Sequence, residues 1–264
     1  LSSLTNTGGT IAGSQSLKVT SVGDVVNTSG TIKGGNVAIT STQGSIVNQT
    51  TASGSGNELR YVTDIGKTAS IQSTGTLALD AAKDITNTGS SMAAGGDASL
   101  KAGGNVTFDT IQDKSVDTTH STFKQGGATG MTTTTTTTVT QVKSGLSSGG
   151  NLSIDAGKDI TLAGTNTRAA GNADLKAGGD LNMLARENTT DIHSESKASG
   201  FGMNGSLYGS TTVTTDSTSV RNVGSTLQVG GNASLAAGND ITVQGSSVDV
   251  KGSGTVSATN VNVL

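Results

Sequence analysis

Side chains able to do acid–base or metal chemistry are scarce in this sequence of 264 residues. Its two histidines, His120 and His193, sit in similar settings, Asp117-Thr118-Thr119-His120-Ser121 and Thr190-Asp191-Ile192-His193-Ser194. Histidine titrates near neutrality, so a matched pair is the material of a pH switch. The plainer reading is two exposed polar residues on extended arms, and no motif places a serine nucleophile beside either. Carboxylates recur more regularly. Asp24, Asp84, Asn105, Asp159, Asp180 and Asp240 hold one place in a repeated pattern. Stacked carboxylates bind calcium in nonapeptide repeats, which require Gly-Gly-x-Gly-x-Asp. Gly103-Gly104-Asn105-Val106 lacks the fourth-place glycine, so the row reads as Asx corners, each capping its own turn. Polysaccharide-cleaving enzymes on elongated repeat scaffolds gather carboxylates, Arg or Lys and aromatics in one groove. Here the only arginines are Arg60, Arg168, Arg186 and Arg221, and the only tyrosines Tyr61 and Tyr208. With no cysteine, disulfides and cysteine-based zinc sites are excluded. We expect no enzyme, no cofactor and no metal.

What must position these residues is an unusual chain. Thr 44, Gly 39, Ser 34 and Asn 18 make up about half of it, while hydrophobic residues are 31% and aromatics 2%. A core built on Leu, Phe and Trp does not fit that composition, and no run of ~20 apolar residues could form a membrane-spanning helix. The net charge of −3, with no basic cluster, argues against nucleic acid as a partner. Low hydrophobicity can mean disorder, but this chain is periodic.

Asn6-Thr7-Gly8-Gly9-Thr10-Ile11-Ala12-Gly13 recurs 21 residues later as Asn27-Thr28-Ser29-Gly30-Thr31-Ile32-Lys33-Gly34. A second consensus reads most clearly from Gly149-Gly150-Asn151-Leu152-Ser153-Ile154 to Ala156-Gly157-Lys158-Asp159-Ile160-Thr161-Leu162. Apolar anchors fall at Val19, Ile39, Leu79, Leu100, Ile154, Leu175, Leu235 and Val256, with spacings of 20, 40, 21, 54, 21, 60 and 21. Short runs alternating apolar and polar residues between Gly, Asn and Asp are strands. Three per 21 residues describe an all-β solenoid, because one turn cannot bury its own apolar face and must stack on the next. Zero proline agrees, since each strand between two others needs all its N–H groups. We expect a right-handed parallel β-helix of about nine rungs over residues 1–264, read as one repeat domain and an interior piece of a longer protein. Asn6, Asn27, Asn48 and Asn87 align with Phe108, Leu162, Met183 and Val243, so a buried asparagine ladder is expected there.

Three additions interrupt the period, at about 49–73, 109–147 and 184–228. The second reads as a hairpin running Asp109–Gln125, turning at 126–130 and returning through Met131–Ser144, with seven consecutive threonines at 132–138. The third runs Glu187–Ser199, turns near 200–205 and returns through Leu207–Asn222. The first is either a hairpin or two irregular rungs. Threonine favours extended backbone but offers little apolar area, so loose or disordered arms are the alternative. The additions leave one corner in alternate rungs, ~9.6 Å apart, close to the spacing of sheets packed face to face. They carry Tyr61, Phe123, Phe201 and Tyr208, four of the five aromatics, the fifth being Phe108. These four are candidate partner contacts, or they pack the hairpins against each other.

The Asn-Thr-Gly-Gly-Thr-Ile-Ala-Gly and Gly-Gly-Asn-x-x-Leu-x-Ala-Gly-x-Asp-Ile patterns resemble the haemagglutinin repeats of filamentous haemagglutinin and its relatives. Ser194-Glu195-Ser196-Lys197-Ala198-Ser199-Gly200-Phe201-Gly202, with Asn222-Val223-Gly224-Ser225-Thr226-Leu227, is similar to the later repeat region of CdiA-like contact-dependent growth inhibition proteins. The resemblance implies a Gram-negative two-partner secretion exoprotein, carried through the periplasm and an outer-membrane β-barrel partner to the cell surface. It implies a stalk and toxin-delivery role towards a target cell and its outer membrane. The alternative is an adhesive stalk that binds a host or neighbouring cell, and least favoured is a carbohydrate-active β-helix enzyme.

Overall fold

Each 21-residue unit folds as three short strands joined at corners, and each strand pairs in parallel with its counterpart one unit away. In the computed structural model, which describes residues 1–205 and 207–264, these pairings form a parallel β-helix. One face is a nine-stranded parallel sheet from Leu4–Thr7 to Asn260–Val263, hence nine rungs. The other two faces form one continuous sheet, because Thr10–Ser21 and Thr31–Ser41 run unbroken around the corner between them. No α-helix occurs among the described residues, only a 3-10 turn at Met203–Gly205.

The anchors fall into one column. Val19 lies beside Ile39, Ile39 beside Leu79, and so on through Leu100, Ile154, Leu175, Leu235 and Val256. All are buried except Val256, which is 55% exposed on the last rung. At ~4.8 Å between rungs, side chains of one column touch along the axis. The interior therefore accepts Val, Ile, Leu and Ala, with one buried ring at Phe108.

The asparagine ladder is present. Asn6 donates to Asn27 at 2.7 Å, Asn27 to Asn48 at 2.7 Å and Asn48 to Asn87 at 2.8 Å. Each amide also donates to a corner carbonyl: Gly9, Gly30, Ser91 and Ser90 respectively. Above Asn87 the column continues as Phe108, Leu162, Met183 and Val243.

The acidic row differs from its expected role. Asp84 Oδ1 accepts the N–H of Asn105, Asn105 Oδ1 that of Asp159, and Asp159 Oδ1 that of Asp180. Each side chain caps the next rung rather than its own turn. The reason is geometric: the equivalent N–H of the next rung lies one strand spacing along the axis, within reach of a short side chain. Asp97, Asn151, Asn172 and Asn232 do the same at the Gly-Gly-Asn corner. No group of three or more metal-ligating side chains converges among the described residues.

The corner after the nine-stranded face takes two forms. In rungs 1, 2, 4, 6 and 8 it is a tight turn through a left-handed residue: Gly8, Ser29, Gly89, Gly164 or Gly245, with φ between 48° and 67°. In rungs 3, 5 and 7 a hairpin leaves instead.

Candidate functional site

The three hairpins are Ala52–Gly56 with Arg60–Ile65, Ile111–Gln125 with Ala128–Val142, and Arg186–Phe201 with Tyr208–Val223. The first addition is thus a short hairpin, not a pair of irregular rungs. They do not stack face to face. They join edge to edge in one six-stranded antiparallel sheet, a fin whose strand order follows the order of the rungs. Two rungs span ~9.6 Å, and a two-stranded hairpin is also two strand spacings wide. One hairpin on every second rung therefore brings neighbouring arms to hydrogen-bonding distance.

The threonine run is paired on both sides. Thr132–Thr138 pairs with Ser121–Ser115 on one side and Ser196–Thr190 on the other. Hydroxyls bond across the strands: Thr118 with Thr135 at 2.9 Å, Thr132 to Ser196 at 3.1 Å, Thr134 with Ser194 at 3.2 Å. Such pairs stabilise a sheet without an apolar core. The second hairpin turns on two residues only, Gly126 and Gly127, both left-handed at φ 57° and 83°. This is the type I′ geometry that matches strand twist, so Ala128–Gly130 belong to the return strand rather than to the turn.

The fin is held at its root by polar groups. Arg186, opening the third hairpin, donates from Nε to Asp109 Oδ1 at 2.8 Å and from Nη2 to Oδ2 at 2.5 Å. Asp109 lies at the foot of the second hairpin, so this two-point contact ties the two together. The hydrogen bond to Asp109 holds the Arg186 pKa above its ordinary value. Gln141 donates to the Glu187 carbonyl and accepts from Thr110. Ser144 closes the corner by bonding the carbonyls of Asn87 and Asp109. Arg186→Met should loosen this root by about 2 kcal/mol, the scale of a half-buried charge-assisted pair. Amide exchange confined to Arg186–Thr190 and Thr138–Val142 should rise, with the rod unchanged.

The four aromatics are not brought together. Tyr61 stands over Gly54, and Lys114 lies 5.8 Å from its ring. Phe123 covers Gly130 on its partner strand and is 36% exposed. Both fill spaces left by glycines within the sheet. Phe201 and Tyr208 close the third hairpin as its outermost pair, rings edge to face at 5.5 Å, and are 69% and 61% exposed. Leu207 beside them is 87% exposed. Tyr61 aligns through Val116 and Thr137 with Asp191, ten residues or ~33 Å along the strand from Phe201. Nor do the histidines meet. The strand carrying Thr133 and Thr135 separates them; His120 contacts Thr133 and His193 contacts Asp216. A switch that needs the two imidazoles in contact is thereby excluded.

A family model described as hemagglutinin repeat matches residues 27–127, 125–214 and 207–264. The chain belongs to the hemagglutinin repeat family. No curated protein and no solved structure matches it. The matched segments overlap at 125–127 and 207–214 and together span all three hairpins. Members are segments of secreted, cell-surface exoproteins of two-partner secretion, which implies an outer-membrane transporter as partner; the repeat is structural rather than enzymatic. This haemagglutinin-repeat segment is accordingly a β-helical repeat segment of a two-partner secretion exoprotein. Sequence reasoning missed the Arg186–Asp109 tie. Its one signal was position, since both residues flank a hairpin at the same corner.

Proposed function

We propose that this repeat segment is the stalk and toxin-delivery region of a contact-dependent growth inhibition exoprotein, and that the fin makes its contact with the target cell surface. The observation that carries the reading is the placement of Phe201, Leu207 and Tyr208. They are exposed at the end of a hairpin with sixteen-residue arms, on a sheet tied to the rod at its root. A rigid scaffold that offers apolar residues at a distance from its own repetitive sides suits recognition by loops. Lys124 and Lys197 lie in the same tip region. Tyr61 and Phe123 are secondary candidates, since each lies over a glycine of the sheet.

The test is an exoprotein lacking residues 112–141 and 187–222, each gap closed with a short Gly-Ser joint. These limits leave Gly145–Ser148 and Thr226–Val229 in the rod. The variant should reach the surface in normal amount and lose toxin delivery at least tenfold. Delivery at the wild-type level would refute the role given to the fin. Loss of attachment to cells with toxin entry otherwise intact would favour the adhesive-stalk reading.

A further inference from the structure

Charge is unevenly spread along the fin. Residues 118–138 and 196–215, the outer halves of the second and third hairpins, contain Lys124 and Lys197 and no aspartate or glutamate, in a chain whose net charge is −3. Closer to the rod the carboxylates return as Asp191, Glu195 and Asp216, with His193 bonded to Asp216. The two lysines share a face, because in an antiparallel sheet opposed residues point the same way and successive ones alternate. Lys124 lies opposite Thr129 and Thr129 opposite Ser199; Thr122 lies opposite Met131 and Met131 opposite Lys197. Further out on that face stands Phe201, opposite Tyr208. Lys124, Met131 and Lys197 line an open depression of about 730 Å³ across the junction of the second and third hairpins.

We infer that the tip docks on the surface of a bilayer that carries anionic phospholipid. Phe201, Leu207 and Tyr208 enter the head-group region, and Lys124 and Lys197 meet lipid phosphates. The inference rests on the reading of the tip as the contact with the target cell and names the chemistry of that contact. Two ammonium groups behind an apolar cap follow the layered order of a bilayer surface, with phosphate outside and hydrocarbon beneath, and aromatic rings favour the boundary between the two.

Spacing supports the layering. A strand advances ~3.3 Å per residue, so Lys124, level with Ser199, stands ~7 Å behind Phe201, Lys197 ~13 Å and Glu195 ~20 Å. Apolar groups at a membrane surface enter it by ~5–10 Å. With the aromatic pair at that depth, both lysines reach the phosphates on their flexible stems. Glu195, Asp191 and Asp216 stay in water, and their repulsion from the anionic surface limits the depth. In the free chain Lys197 bonds Glu195 at 2.8 Å, so a lipid phosphate exchanges with that carboxylate. Lys124 has no ion pair among the described residues.

Flotation of the 264-residue chain with lipid vesicles tests the inference. Vesicles of phosphatidylcholine mixed with phosphatidylglycerol should carry the protein, and added salt should release it. Phosphatidylcholine alone should bind at least tenfold more weakly. Lys124→Gln with Lys197→Gln should weaken binding to the anionic vesicles at least tenfold, and so should Phe201→Ser with Leu207→Ser. Lys101→Gln with Lys176→Gln, at exposed positions on the rod, removes the same charge and should leave binding unchanged. Circular dichroism should show all three variants folded. A wild type that ignores anionic vesicles, equal binding to neutral ones, or binding that survives loss of the two tip lysines would each overturn the inference. A wild type that ignores vesicles, beside an exoprotein that loses delivery when the fin is deleted, would remove the lipid partner and leave the fin's role standing.

Discussion

Replacing Ile154 with aspartate should cost at least ~4 kcal/mol and unfold the middle of the rod. Ile154 is fully buried, with Leu100 on one side and Leu175 on the other. A carboxylate there has apolar neighbours along the axis and no cation within its column. Because each rung contacts only its neighbours, the damage should centre on rungs 5 to 7 and fray outwards. Thermal unfolding followed by circular dichroism should show a large loss of stability or an added early transition. An unchanged melting curve would mean that the register of the rod is wrong.

The second large effect concerns the asparagine ladder. Asn27→Leu should cost about 3 kcal/mol although leucine occupies the same column at Leu162. Asn27 accepts from Asn6 and donates to Asn48 Oδ1 and to the Gly30 carbonyl, all inside the rod. Removing it leaves buried acceptors without their donor, which costs more than the bonds are worth when made. Phe108 and Leu162 avoid that penalty because hydroxyls of Ser144 and Ser225 serve the corner carbonyls in their part of the rod. Chemical denaturation of Asn27→Leu and of the fourfold variant at Asn6, Asn27, Asn48 and Asn87 gives the check. The fourfold change should cost less than four times the single one, because no amide is left facing a missing partner. Equal cost per site would show that the ladder acts through shape alone.

The rod was legible in the sequence because its period and its chemistry coincide. One 21-residue spacing places Leu79, Leu100 and Ile154 in one column once the additions are set aside. The ladder was legible too, since only a buried column explains asparagine aligning with Phe108 and Met183. Hydrogen bonds between rungs were harder to foresee. Turn chemistry is local in sequence and points Asp84 to its own turn, whereas its partner Asn105 lies a full rung away. Three projections are legible in the sequence, but how they pair is not. The same ~9.6 Å fits two sheets face to face or two strands side by side, and it is the backbone pairing between arms, such as Thr134 with Ser194, that separates the cases. Composition likewise makes a run of seven threonines look unstructured. Pairing on both sides is what orders it, and that partner information lies some sixty residues away.

The functional proposals all require that the hairpins stand as one rigid sheet. Residue-resolved hydrogen exchange across Thr132–Thr138 measures this directly. These residues lie in a strand with neighbours on both sides, so their amides should be protected at least a hundredfold over an unstructured chain. Exchange of Thr132–Thr138 at the rate of a free peptide, with the rod still protected, would show loose polar arms and contradict the fin.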